Sequence, residues 1–218
     1  MRIPLATYGI RELVLFGGLA AAAIALSAVF APYLVPLFVL ALGFVLWFFR
    51  DPERRIPSEV GAVVSPADGR VVEAAEADEP RFLGGRTHKI AIFMSPLSVH
   101  VNRAPCDGRV EAVEHRPGRY HNAADPAASA ENESSALVLG DAAEGRTRLL
   151  VRQVAGVLAR RIVCQAAVGD RLQRGQRIGM IKFGSRAEVY VPIDSGFQVA
   201  VSLGQRVKAG ETILGRFP

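Results

Sequence analysis

The stretch MIKFGSRAEVYVP, residues 180–192, sets Gly184-Ser185 between two strand-like runs: Met180, Ile181 and Phe183 before it, Val189, Tyr190 and Val191 after it. Two readings of Ser185 are open. It bends the chain as an ordinary turn serine, or its hydroxyl attacks the carbonyl of the glycine ahead of it. The second reading needs a small preceding residue, so that Oγ can approach the carbonyl carbon in a strained turn. It also needs a base for the hydroxyl proton and donors for the developing oxyanion. Four histidines are on offer as that base: His88, His100, His115 and His121. His100, in MSPLSVHVNRAP, stands between valines after a Ser-Pro turn, whereas His88 opens a strand and His115 and His121 flank the turn RPGRY. Asp68 and Asp107 could orient a histidine, yet each is also fully explained as a turn former in an Asp-Gly pair. Spacing alone leaves these choices open. The histidines are scattered, and no H-x-H, HExxH or cysteine pair has metal-ligand spacing.

The elements that must hold these residues are short. Beyond residue 56 the chain alternates valine-rich stretches with Gly, Pro and Asp-Gly punctuation: AVVSPADGRVVEA, HKIAIFM, SALVLG, RTRLLVRQVAG and RRIVCQAAVGD. These read as strands broken by turns, and the polar run DPAASAENESS (125–135) reads as a loop. The fold class is mainly β. Two internal echoes sharpen it: PADGRVVEA against PCDGRVEAV, and GDRLQRGQRIG against GQRVKAGETILG. The second pair resembles the hairpins of lipoyl- and biotinyl-type barrel-sandwich domains. Each unit has one apolar face, which must find a partner sheet.

Ahead of this lies a different kind of chain. Residues 13–49 carry no charge at all, although charged residues make up 22% of the sequence. Pro32 and Pro36 divide the run into segments 13–31 and 33–49, about 25–29 Å each at 1.5 Å per residue. This predicts an α-helical membrane hairpin over 1–55, either spanning the bilayer or entering one leaflet; a buried helical hairpin in a soluble protein is the alternative. A signal peptide would be shorter and end at a small-residue cleavage site. Arg2 and Arg11 precede the run, and Arg50, Arg54 and Arg55 follow it. The positive-inside tendency then places both ends, and the domain 56–218, on the cytoplasmic side of the cell membrane. A net charge of +5, with acidic residues interspersed, suits attraction to anionic lipid head groups. No basic stripe with interleaved aromatics points to nucleic acid. Cys106 and Cys164 are isolated, as in a reducing compartment.

Taken together, FFRDPERRIP, VSPADGRV, FMSPLSVHVNRAP, PGRYHNA followed by ENE, and GQRIGMIKFGSRAEVYVP resemble the phosphatidylserine decarboxylases in their short bacterial and archaeal form. The resemblance covers almost the whole chain and implies that the protein cuts itself between Gly184 and Ser185. Ser185 Oγ attacks the Gly184 carbonyl to give an ester. Elimination then leaves dehydroalanine, and loss of ammonia yields a covalent pyruvoyl group. The products would be a membrane-associated β chain, 1–184, and an α chain, 185–218, held together without a covalent bond. The pyruvoyl ketone would form a Schiff base with the amine of phosphatidylserine and act as the electron sink for loss of CO₂, with no metal. The product would be phosphatidylethanolamine.

By the family's pattern, Asp68 matches the acidic member of the processing triad and Ser185 the nucleophile. His100 falls on the first histidine of an H-x-x-H found in longer relatives, while Arg103 stands at the second, so His100 is expected to serve both processing and decarboxylation. His88 or His121 is the alternative. Arg186 follows the serine where longer relatives have threonine; Arg186 and Asn102 are candidate substrate-binding residues. The rival reading is a non-catalytic, membrane-anchored barrel-sandwich carrier module. Lys182, two residues after Met180, is out of register for the Met-Lys of such a carrier.

Overall fold

A computed structural model describes residues 5–141, 146–157, 161–182 and 184–218. Phe183 and Arg160, each part of an expected strand run, lie outside the described residues. The chain forms two compact units, Met1–Glu53 and Arg54–Pro218.

The first unit is a helical hairpin of α1 (Ile10–Phe30) and α2 (Val35–Phe48), which pack on each other. Ala31, with φ −154° and ψ 68°, breaks the helix where the following Pro32 disfavours helical backbone. The hairpin closes at its open end: Leu5 bridges Arg50, and the Ala6 N–H donates to the Phe49 carbonyl at 2.7 Å. Thr7–Phe30 is long and apolar enough to cross a membrane, with mean hydropathy 2.4, and Pro32–Phe48 is a shorter apolar helix. Leu19, Leu26, Phe30 and Leu40 are all exposed. An outward apolar surface of this kind is stable against an apolar medium rather than water.

The second unit is mainly β. In chain order it contains β1 (Ala62–Val64), β2 (Gly69–Glu79), β3 (Gly85–Met94), β4 (Val101–Arg103), β5 (Gly108–Arg116), the short helix α3 (Ala128–Glu131), β6 (Ser134–Asp141), β7 (Arg146–Val154), β8 (Ile162–Cys164), β9 (Arg171–Leu172), β10 (Arg177–Ile181), β11 (Ser185–Pro192), β12 (Gln198–Val199), β13 (Arg206–Val207) and β14 (Ile213–Arg216). Among the described residues the main antiparallel sheet runs β13-β2-β3-β11-β7-β6-β5-β9, with two small sheets, β1-β14-β12 and β4-β10-β8. Side chains alternate along β11. Ala187, Val189 and Val191 join Ile90, Ile92, Leu149 and Val151 in the main core, while Tyr190 packs with Leu150 on the other face.

The echoes pair with each other. The Val71 N–H donates to Gln205 O and the Gly204 N–H to Val71 O, at 2.9 and 2.8 Å. In the second copy the Val110 N–H donates to Asp170 O and the Gly169 N–H to Val110 O, both at 2.8 Å. Each Asp-Gly-Arg-Val strand start is therefore clasped by one Gly-x-Arg-aliphatic unit, one at each end of the main sheet. The run 125–135 is not a plain loop. The Asp125 side chain accepts from the Ala127 N–H at 2.9 Å, one turn of α3 follows, and β6 begins at Ser134.

Candidate active site

Gly184-Ser185 is not a hairpin turn. It is where the chain leaves β10 in a small sheet and enters β11 in the main one. Gly184 has φ +62°, in the left-handed region that favours glycine, and no atom lies within 4 Å of where its Cβ would be. Ser185 opens β11 opposite Met94, the last residue of β3, and is fully buried. Its side chain points to the core face, with Oγ 3.4 Å from Met94 Sδ. A thioether is a weak acceptor, so the hydroxyl is held in place without being strongly committed.

The same sulfur has a second neighbour. Asn102 Nδ2 lies 3.7 Å from Met94 Sδ and 3.4 Å from the Pro66 carbonyl, and Asn102 Oδ1 accepts from Gln153 Nε2 at 2.8 Å. Asn102 and Gln153 are both buried. Asn102 thus joins Ser185 in one polar strip. Met94 and Gln153 belong to it as well, and sequence reasoning missed both. Gln153 had a signal, since it takes the inward position after Leu149 and Val151 in an apolar strand. His100 lies two residues ahead of Asn102 in the chain. It follows the Ser95–Ser98 turn out of β3, is fully buried, and its carbonyl accepts from the Ile181 N–H at 3.3 Å.

Other expected residues are placed differently. Asp68 accepts two bonds from Arg54 Nη2, both at 2.9 Å, and one from the Ala209 N–H at 2.8 Å. Asp107 makes the matching contact in the other echo, accepting from the Arg174 N–H at 2.9 Å. Arg103 is buried and donates to the Gly175 carbonyl at 2.9 Å, a clamp on the β9–β10 turn. His88 sits six residues before Met94 on β3, roughly 20 Å along an extended strand. His115 and His121 are exposed and lie 3.8 Å from Glu133 and 3.1 Å from Glu131 respectively.

Arg186, a substrate-binding candidate, lies on the other face of β11 from Ser185. Adjacent strand residues face opposite sides, so Arg186 points away from the Ser185 face. Its guanidinium is 1% exposed and is held by Glu188 at 2.7 Å and by Glu73. Glu188 is also fully buried, within 3.7 Å of Lys89, and accepts from Ser129 and, at 2.7 Å, from Tyr190. Burial alone would raise the Glu188 carboxyl pKa, but Lys89, Arg186 and these hydrogen bonds hold it below the ordinary value. Burial and the Glu188 charge push the Tyr190 phenol upward. This outer face is a paired charge cluster that anchors β11 between β3 and β7. Among the described residues no three His, Cys, Asp or Glu side chains gather as a metal-ligand set.

Comparison with known proteins identifies the family. The family model for phosphatidylserine decarboxylase matches residues 41–215. Over 175 residues the chain is 54% identical to the phosphatidylserine decarboxylase proenzyme of Symbiobacterium thermophilum, covering 80% of each chain. It is 48% identical to that of Cupriavidus pinatubonensis over 83% of this chain and 81% of the other. For Desulfotalea psychrophila the identity is 43%, over 83% and 82%. A helical hairpin followed by a β unit, with a buried serine behind a left-handed glycine, is thus the form taken here by a chain that belongs to the phosphatidylserine decarboxylase family.

Proposed function

We propose that the chain is a proenzyme that cuts itself at Gly184-Ser185 and then, through a pyruvoyl group made from Ser185, decarboxylates phosphatidylserine to phosphatidylethanolamine. The observation that carries this is Ser185 itself: buried, preceded by a glycine at φ +62°, and with its hydroxyl 3.4 Å from the Met94 thioether, a weak acceptor. A serine that only served a turn would be expected at the surface. Self-cleavage begins as Oγ bonds to the Gly184 carbonyl carbon and gives its proton to a base, for which His100 is the candidate. The C–N bond then breaks and the nitrogen takes a proton, leaving an ester. Loss of the Ser185 α-proton expels the Gly184 carboxylate, and water replaces the nitrogen, which leaves as ammonia.

The residues present suit such a group. Position 185 is enclosed by Met94 and the Asn102–Gln153 pair, which exclude bulk water from a reactive carbonyl. Once formed, the pyruvoyl ketone supplies an electron sink for the bond to the departing carboxylate. His100 holds or delivers the proton at the carbon that loses CO₂. Asn102 offers a side-chain amide to the bound serine head group. Asp68 is assigned to processing with its charge already partnered by Arg54. Arg186 has no part in binding.

The hairpin would hold the enzyme at the cytoplasmic face of the cell membrane, where its diacyl substrate lies, and the domain 56–218 would carry the chemistry. Its meeting ends at Leu5 and Arg50 suit two chain ends on one side. The carrier reading loses ground because Lys182 is 5% exposed, whereas a carrier lysine must reach out from a hairpin tip.

Intact mass of the purified protein is the test. Fragments 1–184 and 185–218, the smaller with a blocked N-terminus, together with release of CO₂ from phosphatidylserine vesicles, are expected. A single full-length chain in active protein would overturn the proposal. His100→Ala should block cutting; normal cutting with lost decarboxylation would confine His100 to the second step.

A further inference from the structure

The Gly184 carbonyl has a close neighbour. The last paired residues of β7 and β11 are Val154 and Arg186, and two positions further the antiparallel register brings Gly156 opposite Gly184. A Cβ on Gly156 would stand 2.0 Å from the Gly184 oxygen and 3.1 Å from its carbonyl carbon, with Ala123 Cβ also 3.1 Å away. The atom in the way is backbone, which cannot swing aside like the tip of a long side chain. Only a glycine lets its Cα–H lie against that oxygen. The demand is for space, since Gly156 is not among the glycines of positive φ.

Asn132 holds Gly156 there. Its Nδ2 donates to the Ala155 and His121 carbonyls, both at 2.9 Å, and its Oδ1 accepts from the His121 N–H at 2.9 Å. The residue is fully buried. One amide therefore ties the end of β7, which carries Gly156, to the loop that carries Ala123. Ala123 is thereby held beside Gly156, and Gly156 against the Gly184 carbonyl.

Resting on the self-cleavage reading, we infer that Gly156 and Asn132 are positioning residues for that step. Gly156 sets the orientation of the scissile carbonyl by contact, and Asn132 sets Gly156. As Ser185 Oγ bonds to the carbonyl carbon, the oxygen takes the π electrons and must move. A packed glycine limits where it goes. Gly156→Ala would shift the carbonyl by about an ångström, enough for a roughly 100-fold loss of rate.

The test follows cutting in freshly made full-length chain by intact mass, with and without hydroxylamine. Hydroxylamine cleaves an ester but not an amide, so it reports ester formation separately from elimination. Wild type should cut. Gly156→Ala should cut about 100-fold more slowly and stay whole in hydroxylamine, while circular dichroism shows it folded. Asn132→Asp, which cannot donate to both carbonyls, should slow cutting at least about 10-fold, and it stands in should Gly156→Ala fail to fold. Leu172→Ala, at the far edge of the sheet, supplies a matched loss of stability and should cut at the wild-type rate. Cutting of Gly156→Ala within threefold of wild type overturns the inference. So does normal ester formation in hydroxylamine, or equal slowing by Leu172→Ala. A wild-type chain that stays whole overturns the self-cleavage reading itself.

Discussion

Asp68 and Asp107 occupy matching places in the two echoes, and each accepts a backbone N–H from the turn that clasps its strand. Only Asp68 adds Arg54 and lies one residue before the strand that pairs with Met94's strand. Comparing this pair would separate a turn role from the proposed processing role within one molecule. Asp68→Asn is expected to slow self-cleavage by on the order of 10²-fold, with Asp107→Asn cutting at the wild-type rate. Gel time courses would show it; equal slowing in both variants would reduce Asp68 to a turn anchor. The buried Glu188 makes a different prediction. Its folded pKa lies below the ordinary carboxylate value, so its stabilising contribution is present above that ordinary value and is lost as pH falls through the folded pKa. Glu188→Gln leaves Lys89 and Arg186 short of a buried counter-charge and should cost about 3 kcal/mol at neutral pH. Denaturant midpoints should show this gap narrowing in acid; a gap that widened would contradict the pairing.

At the level of elements, much was legible because local chemistry decides it. Asp-Gly marked the starts of β2 and β5, valine runs marked the strands, and the charge-free run with its two prolines marked the helical hairpin. What could not be read was pairing between distant strands. Gln153 and Gly156 come near Ser185 and Gly184 only because β7 lies against β11, a register set by tertiary packing. The facing of Arg186 follows from strand parity, but only once β11 is known to begin at Ser185. In the 125–135 run, Asp125 and Ser129 make contacts that a composition-based loop assignment cannot anticipate. The link between β10 and β11 also carries a prediction. Gly184→Ala meets no atom, so its cost is in the backbone alone, about 1–2 kcal/mol for an alanine held in left-handed conformation. The denaturant midpoint of the uncut Ser185→Ala background should fall by that amount. No change would mean that the link relaxes to negative φ.

For the whole molecule, the proposed cut turns one chain into two without dividing the fold. Residues 185–218 supply β11, between β3 and β7, and β14, between β1 and β12, as well as β13 on the edge of β2. Val189, Val191 and Leu214 from this segment are completely buried in the main core. The smaller chain would therefore be held by packed apolar surface and sheet hydrogen bonds, and on the proposed reading the hairpin would hold the larger one at the membrane. Once the peptide bond is gone, unfolding releases two molecules instead of one, so mass action must enter. In detergent, the melting temperature of the cut protein should rise with protein concentration, whereas uncut Ser185→Ala should melt at one temperature across the same range. Leu214→Ala should weaken both forms by about 2–5 kcal/mol, but only in the cut form should dilution then release the smaller chain. A cut protein whose melting ignored concentration would mean that the two chains separate only after the temperature-limiting step, and that the grip of β11 outlasts the rest of the fold.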